Sequence, residues 1–444
     1  MTNVRILENG FKKALILENP SRLLDEQLKA QGIEPERMPE SATLDREKII
    51  ETLKKGQHDL IYKRSRFIVD EEVLLASDNL AAIMLCCIGD DSVDKQKCAE
   101  HGILVMNDPV SNGRSVLELV FGEMICMARR IFHAVERTRV SEWTKDNKAR
   151  YEIMGKNLSI IGLGNIGKQV AQMADYFDMN VYFYDSKEIA VEVGKALGWT
   201  PCETIEEAFR KADFVSVHVS AEDQKGGTNK GLFTYDHFRQ LGADRGENSP
   251  RIFLNAARGF LFDPEDLKRA VKEGHISYSA IDVFPEEPGS KSDVWKNPYS
   301  DMSEIIGTPH IGAATQEAQP RIADYVAGTT KGFNTNGTIR DCVFAPGRAI
   351  GVGSANPKYI LSVVHSDARG TKKAVSDCIF DAGISSIQSS HIDFPKYGIA
   401  YDINAIDKPL TRIQLEKLAA NAVKISGDET AIRSIRQIDI STFS

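Results

Sequence analysis

The run Leu158-Ser-Ile-Ile-Gly-Leu-Gly-Asn-Ile-Gly167 constrains the fold more than any other stretch of this chain. Gly162, Gly164 and Gly167 stand at G-x-G-x-x-G spacing, a triplet that alone also arises in ordinary turns. Here an apolar strand runs into the first glycine. After the last one, Ile166, Val170, Met173, Ala174 and Phe177 fall on one helix face. Glycine is required where backbone must approach a pyrophosphate closely, at a helix N-terminus whose N–H groups and dipole converge on it. Asp185 closes the next apolar strand, about 20 residues beyond the second glycine, where an acid binds ribose hydroxyls. The acid favours NAD; no arginine follows it to hold a 2′-phosphate, although Lys187 lies nearby.

Strands and helices alternate on both sides of this segment. Upstream, Ala14–Leu17, Leu60–Tyr62, Leu80–Ile88 and Ile103–Met106 read as strands, and Ser21–Gln31 as an amphipathic helix. A long buried helix is predicted over Ser115–Ile131, from Val116, Leu119, Val120, Met124, Met127 and Ala128. Downstream, Leu158–Ile161, Val181–Tyr184, Phe214–Val219, Ile252–Asn255, Tyr278–Asp282 and Glu304–Ile306 predict the strands of a doubly wound α/β nucleotide domain. Asp263, Pro264 and Gly274 punctuate one of its helices. A further helix is expected over Gln316–Phe333, and Ala345–Pro357 reads as a linker. The tail then reads β-α-β-β-α-β, the ferredoxin-like order. Its strands are Tyr359–His365, Ser385–Ile392, Gly398–Ile403 and Ile432–Ile440, and its helices Thr371–Ala382 and Thr411–Val423.

A chain of 444 residues implies two or three domains, and 42% hydrophobic with 27% charged residues is a soluble globular composition. The net charge of −8 argues against nucleic acid or an anionic membrane as main partner, but allows an anionic small substrate in a cationic cleft. Leu80–Ile88 is too short to span a bilayer, and Met1–Lys13 lacks signal-peptide order, so a cytoplasmic location is expected. Seven cysteines without a Cys-x-x-Cys pair read as reduced, with Cys86 and Cys87 in a buried strand. No metal-ligand spacing is evident, and no metal is expected.

Three segments place reactive side chains at or after strand ends: Asn255-Ala-Ala-Arg258, Asp282-Val-Phe-Pro-Glu-Glu287-Pro and Thr308-Pro-His310. Singly, each has a bland reading as a surface salt bridge, a turn and a loop histidine. Together with the glycine loop, with Asn112 and Arg114-Ser-Val116, and with Ala314-Thr-Gln-Glu-Ala318, they resemble the D-2-hydroxyacid dehydrogenase family. The likeness is strongest to its D-3-phosphoglycerate dehydrogenase branch and spans nearly the whole chain. It implies a Rossmann-type NAD domain (119–315) inserted in a smaller flavodoxin-like substrate domain (1–118 and 316–345). A linker (346–357) and a ferredoxin-like, ACT-type regulatory domain (358–444) would follow.

The resemblance assigns His310 as acid/base, Glu287 as its partner and Arg258 as the group binding the carboxylate and reacting oxygen. Imidazole exchanges protons near neutral pH, and the guanidinium fork suits a carboxylate. It assigns the NAD surface to Gly162, Gly164, Asn165, Ile166, Gly167, Asp185, His218, Val219, Ala256, Asp282 and Gly312. Arg64, Ser65, Asn112 and Lys145 would meet the substrate, the lysine from a neighbouring subunit of a homodimer or homotetramer. Exposed arginine at a strand terminus is otherwise common. Lys63-Arg64-Ser-Arg66, directly after the Leu60–Tyr62 strand, forms a cationic cluster; Asp90 and Asp91, expected near it, and Asp108 replace uncharged family residues. They would repel an anion unless they pair elsewhere. In the tail, His365, Asp367 and Ser385 mark a possible amino-acid effector site, with departures from the family at the last two. Another 2-hydroxy acid such as 2-hydroxyglutarate, or an NAD-sensing binding module, are the competing readings.

Overall fold

In the computed structural model the glycine run opens a seven-stranded parallel sheet, and every other strand of that sheet is placed relative to it. Residues 4–223, 227–288, 293–352 and 357–443 are described; part of the expected linker, 353–356, lies outside them. Packing divides the chain into two compact units, Val110–Ala318 and a second made of Met1–Pro109 with Gln319–Ser444.

The sheet of Val110–Ala318 runs, edge to edge, 305–307, 278–281, 252–255, 214–217, 157–161, 180–184 and 200–201. All neighbours are parallel. The order reverses between Asn157–Ile161 and Phe214–Val217, the switch point of a doubly wound fold. Alternate residues of each strand fill opposite cores. Val215, Val217, Phe253 and Ile281 pack on one face, and Leu158, Ile160, Phe214, Leu254 and Ala280 on the other. The long helix is Gly113–Ala128, and its apolar stripe joins the second core. It therefore belongs wholly to this unit, and the division falls ahead of it at Pro109, not within it at residue 118. Six strands were expected in this sheet; the seventh, Thr200–Pro201, is two residues long and carries no apolar pattern to announce it.

The second unit holds two five-stranded sheets. One is parallel, in the order Glu34–Arg37, Lys13–Ile16, Leu60–Lys63, Ala82–Leu85, Leu104–Asn107, which is the flavodoxin-like 2-1-3-4-5 arrangement. The other contains the tail, with Ile432–Asp439, Tyr359–Ser366, Ile399–Ile406 and Ser386–Phe394 as antiparallel neighbours. Helices Thr371–Asp381 and Arg412–Ser426 cover one face of it. Its fifth strand is Arg5–Glu8, which pairs in parallel with Ser434–Gln437. Alternation of Val4 and Ile6, both packed against the tail's core, is the only sequence signal for that strand.

Arg436 ties the two sheets of this unit together. Its side chain, 4% exposed, donates to the carbonyls of Phe333 and Asn334, both at 2.7 Å, and lies 3.7 Å over the Phe11 ring. All seven cysteines are free, with Cys86 buried and Cys87 half-buried. Among the described residues no helix is long and apolar enough to cross a membrane.

Candidate active site

The carboxyl ends of six adjacent strands carry the candidate residues, and pairings such as Val217 with Asn255, Asn255 with Ile281, and Ile281 with Gly307 hold those ends level. On one side of the switch point lies the glycine loop. Gly162 has φ +97°, and a Cβ there would stand 2.7 Å from the His218 carbonyl oxygen. A Cβ on Gly167 would stand 2.1 Å from the Gly162 oxygen, so neither position admits a side chain. Gly164 faces open space instead and caps the twelve-residue helix Asn165–Tyr176 without a side-chain bond. A glycine cap brings no side chain to compete with an external anion at that helix N-terminus. Asp185 accepts from Leu163 N at 2.7 Å through one oxygen and from Lys187 N at 2.8 Å through the other. Each carboxylate oxygen keeps a lone pair for a ribose hydroxyl. His218 holds Ser216 Oγ at 2.8 Å, and burial pushes its imidazole down to about 3, so it stays neutral. Val219 and Ala256 are half-buried at the neighbouring strand ends. These residues fit a dinucleotide.

On the other side, three loops converge. Asn255, buried, accepts from Ala257 N at 3.0 Å and donates to the Arg258 carbonyl at 2.9 Å, which fixes the turn bearing Arg258. A Cβ on Gly259 would lie 2.0 Å from the Phe284 carbonyl carbon, so that turn packs backbone to backbone against the loop after Asp282. Asp282 is 1% exposed and organises the histidine loop. Its carboxylate accepts from Thr308 Oγ1 at 2.6 Å, Ile311 N at 2.8 Å and Gly312 N at 2.9 Å, and its own carbonyl accepts from His310 N at 2.9 Å. So held, His310 adopts φ +52°, a region β-carbon residues enter only when their surroundings require it.

His310 Nδ1 lies 2.7 Å from Glu287 Oε2, and Glu287 Oε1 accepts from Phe284 N at 3.1 Å. Burial pushes the Glu287 carboxyl up, but its bond to His310, the His310 charge, the Phe284 N–H and Arg258 together bring it below the ordinary carboxylate range. An ionised Glu287 fixes the ring and leaves Nε2 without a partner among the described residues, in a side chain 44% exposed.

Glu123 was not foreseen. It sits on the long helix, 6% exposed, with Oε1 at 3.4 Å from Thr308 Oγ1. Burial, then the charge of Asp282, raise it to about 7, against a weaker lowering by Thr308. Thr308 has one hydroxyl hydrogen, which serves Asp282; a protonated Glu123 supplies the second bond by donating to Thr308. The signal was available: an acid three and seven residues after the buried Val120 and Val116.

Asn112 is also in this unit, buried ahead of the long helix, with Oδ1 lacking a hydrogen-bond partner among the described residues. Lys145 is exposed, beyond helix Ile131–Arg139, no residue of which is buried. In the other unit, Arg64 is half-buried and Ser65 exposed. Their loop is fixed by Glu18, which accepts from Arg66 N at 2.9 Å and Phe67 N at 2.8 Å. Lys63 belongs to the interior, donating to the Arg64 carbonyl and Ser92 Oγ, both at 2.6 Å. Asp90 pairs with Lys95 at 3.0 Å. In the tail, His365 is buried with both ring nitrogens engaged, whereas Asp367 and Ser385 are exposed and bonded to neither it nor each other among the described residues.

A nucleotide loop and a carboxylate-held imidazole at the carboxyl ends of one sheet, on either side of its reversal, define a nicotinamide-dependent dehydrogenase. The family follows from the relatives. Residues 121–312 match the model of the D-isomer specific 2-hydroxyacid dehydrogenase, NAD binding domain. The D-3-phosphoglycerate dehydrogenase of Escherichia coli (strain K12) is 32% identical over 85% of this chain and 88% of its own length. D-3-phosphoglycerate dehydrogenase 2 of Saccharomyces cerevisiae is 31% identical over 94% and 87%. A glyoxylate reductase structure from Paecilomyes thermophila shares the fold at a TM-score of 0.61 and 23% identity, covering 75% of this chain and 98% of that one. The NAD+-bound 3-phosphoglycerate dehydrogenase of Entamoeba histolytica does so at 0.59 and 24%, with the same coverage. The chain belongs to the D-isomer-specific 2-hydroxyacid dehydrogenase family, with its curated relatives in the phosphoglycerate branch.

Proposed function

We propose that this protein oxidises D-3-phosphoglycerate to 3-phosphohydroxypyruvate, the reaction that opens L-serine synthesis. The observation that carries the reading is the 2.7 Å bond between His310 and Glu287 at the strand ends of a dinucleotide sheet. His310 Nε2 takes the proton of the substrate hydroxyl, and Glu287 stabilises the imidazolium that forms. Arg258 holds the substrate carboxylate and the reacting oxygen through its planar fork. NAD supplies the hydride acceptor for C2. Gly162, Gly164, Asn165, Ile166 and Gly167 receive its pyrophosphate, Asp185 its ribose, and His218, Val219, Ala256, Asp282 and Gly312 line the rest.

Arg64, Ser65 and Asn112 bind the phosphate end, with Lys145 contributed by a second copy. In support, Asp90 is paired with Lys95 and leaves Arg64 uncompensated by it. The exposed Ile131, Phe132, Val135, Val140 and Trp143 around the unburied helix support a homo-oligomer. The flavodoxin-like sheet would be the substrate domain and the tail an ACT-type regulatory one, in a cytoplasmic enzyme.

The test is reduction of 3-phosphohydroxypyruvate and of 2-oxoglutarate by NADH, side by side, with and without L-serine. Turnover of the phosphate compound supports the reading. Turnover of 2-oxoglutarate alone moves the function to another hydroxy acid, and turnover of neither, with NADH still bound, favours a binding module.

A further inference from the structure

The tail's sheet brings together three side chains outside the dehydrogenase site, among them His365, which the structure joins not to Asp367 and Ser385 but to a different pair. His365 and Asp402 are buried and His391 is half-buried, on the strands Tyr359–Ser366, Ile399–Ile406 and Ser386–Phe394. Asp402 stands between the two imidazoles, with Oδ2 at 3.0 Å from His365 Nε2 and Oδ1 at 2.7 Å from His391 Nδ1. The rings stack with centroids 5.7 Å apart and planes 22° from parallel. One ligand atom from each residue lies within 4.8 Å of the other two.

The outer nitrogens make this arrangement informative. His365 Nδ1 lies 2.6 Å from the Ser366 carbonyl, which can only accept. His391 Nε2 lies 2.8 Å from Asp393 Oδ1. Each ring therefore directs one N–H outward and its remaining nitrogen at Asp402. A neutral imidazole carries one donor and one acceptor, so three lone-pair atoms would point at one another around a buried carboxylate. A positive group at that point, a proton or a metal ion, would satisfy all three. Two further protons would make two stacked imidazoliums, paired with Asp402 between them and with Asp393 beside His391. One divalent ion does it without stacking two cations.

We propose that His365 Nε2, His391 Nδ1 and the Asp402 carboxylate bind a late first-row divalent ion of the zinc type, one per chain. Two imidazoles and a carboxylate are the ligand chemistry such ions prefer. The outer contacts are those that orient metal-bound histidines, where a ring N–H donates to a backbone carbonyl or a carboxylate. Metal–ligand distances near 2.0–2.1 Å set neighbouring ligand atoms roughly 3.3 Å apart, so atoms that lie within 4.8 Å of one another must close by up to about 1.5 Å on an ion. His391 forms the open side of the site, where water or an external ligand would complete the coordination. Sequence spacing conceals the set, because each ligand comes from a different strand.

The test uses the full chain, stripped with a chelator and dialysed, then titrated with Zn²⁺ by calorimetry and with Co²⁺ by visible absorption. One ion per chain is expected, with Co²⁺ giving d–d bands that Zn²⁺ abolishes. His391→Ala and the shape-conserving Asp402→Asn should each weaken Zn²⁺ binding at least about tenfold and remove the bands. Far-ultraviolet dichroism establishes that both variants are folded, and His391→Gln serves if His391→Ala is not. His310→Ala should retain the ion, which separates this site from the dehydrogenase histidine. Absence of stoichiometric binding, or binding unchanged in folded variants of both His391 and Asp402, overturns the proposal. Neither result depends on which hydroxy acid the enzyme uses.

Discussion

Glu123→Gln isolates one buried carboxyl and gives a stability effect whose sign depends on pH. In the folded protein Glu123 holds its proton up to about pH 7; in the unfolded chain it ionises near 4.5. The folded state therefore binds the extra proton between those values, and unfolding releases it. Below pH 4.5 the contribution of this group to stability is fully present. It is lost progressively as pH rises towards 7, and above that a carboxylate is buried beside Asp282. A shift of this size corresponds to about 3 kcal/mol, at about 1.4 kcal/mol per pH unit. Glutamine keeps the shape, can donate to Thr308 as the neutral acid does, and does not titrate.

The stability difference between Glu123→Gln and the parent should thus grow by about 3 kcal/mol in favour of glutamine between pH 4.5 and pH 8. Urea unfolding followed by tryptophan fluorescence is the suitable assay. The chain's three tryptophans, Trp143, Trp199 and Trp295, all lie in the Val110–Ala318 unit, so the signal reports that unit. Titrations shared by both proteins cancel in the difference. A difference that stays flat within about 1 kcal/mol across that range would refute the buried-acid account.

Other consequences are more direct. His310→Ala should lower NADH-coupled turnover by about 10²–10⁴-fold while NADH binding, followed by its fluorescence, persists; near-normal turnover sinks the catalytic assignment. Because the native Glu287 carboxyl lies below its ordinary value of 4.5, its contribution is complete above that pH and is lost only as pH falls through the lower native value. The pH–rate profile of the parent should then show no Glu287 step above about 4.5, whereas Glu287→Gln should lower kcat/KM throughout. Gly167→Ala forces a Cβ to 2.1 Å from the Gly162 oxygen, so it should destabilise the unit by at least about 1–3 kcal/mol and abolish NADH binding in titrations. Arg436→Ala takes the arginine donor from the Asn334 carbonyl and leaves Phe333 O only its bond from Gly337 N; about 1–3 kcal/mol of lost protection should appear in hydrogen exchange across both sheets of the second unit.

How legible the fold was varied with what each segment must do. Ile252–Asn255 was readable to the residue because a strand buried on both faces is a continuous apolar run between polar flanks. Glu34-Pro-Glu-Arg37 was not. It forms a strand only because Lys13–Ile16 presents an open edge, and its own alternating exposure involves no aliphatic side chain. At the site, residue types and positions were visible through the family likeness. The features that make them act together were not: the backbone contact at Gly259, the Asp282 bonds to the histidine loop, and the left-handed backbone of His310. Those depend on how strand ends far apart in sequence come level. Lys63 illustrates the opposite error, because a charge read with its cationic neighbours is in fact enclosed and holds up the loop they stand on.

The pairing of Arg5–Glu8 with Ser434–Gln437 bears on how the protein is made. Arg436 reaches the carbonyl of Asn9 across 427 residues of sequence. At synthesis rates of about 5–20 residues per second, the early strand waits some tens of seconds on the ribosome before its partner exists. Throughout that interval an apolar edge is exposed on the nascent polypeptide, open to mispairing with another chain. The Val110–Ala318 unit has no such dependence and can complete its contacts while translation continues. Maturation is thus ordered by topology: the Val110–Ala318 unit can close before Ile432–Asp439 has been made, whereas the sheet that contains Arg5–Glu8 cannot.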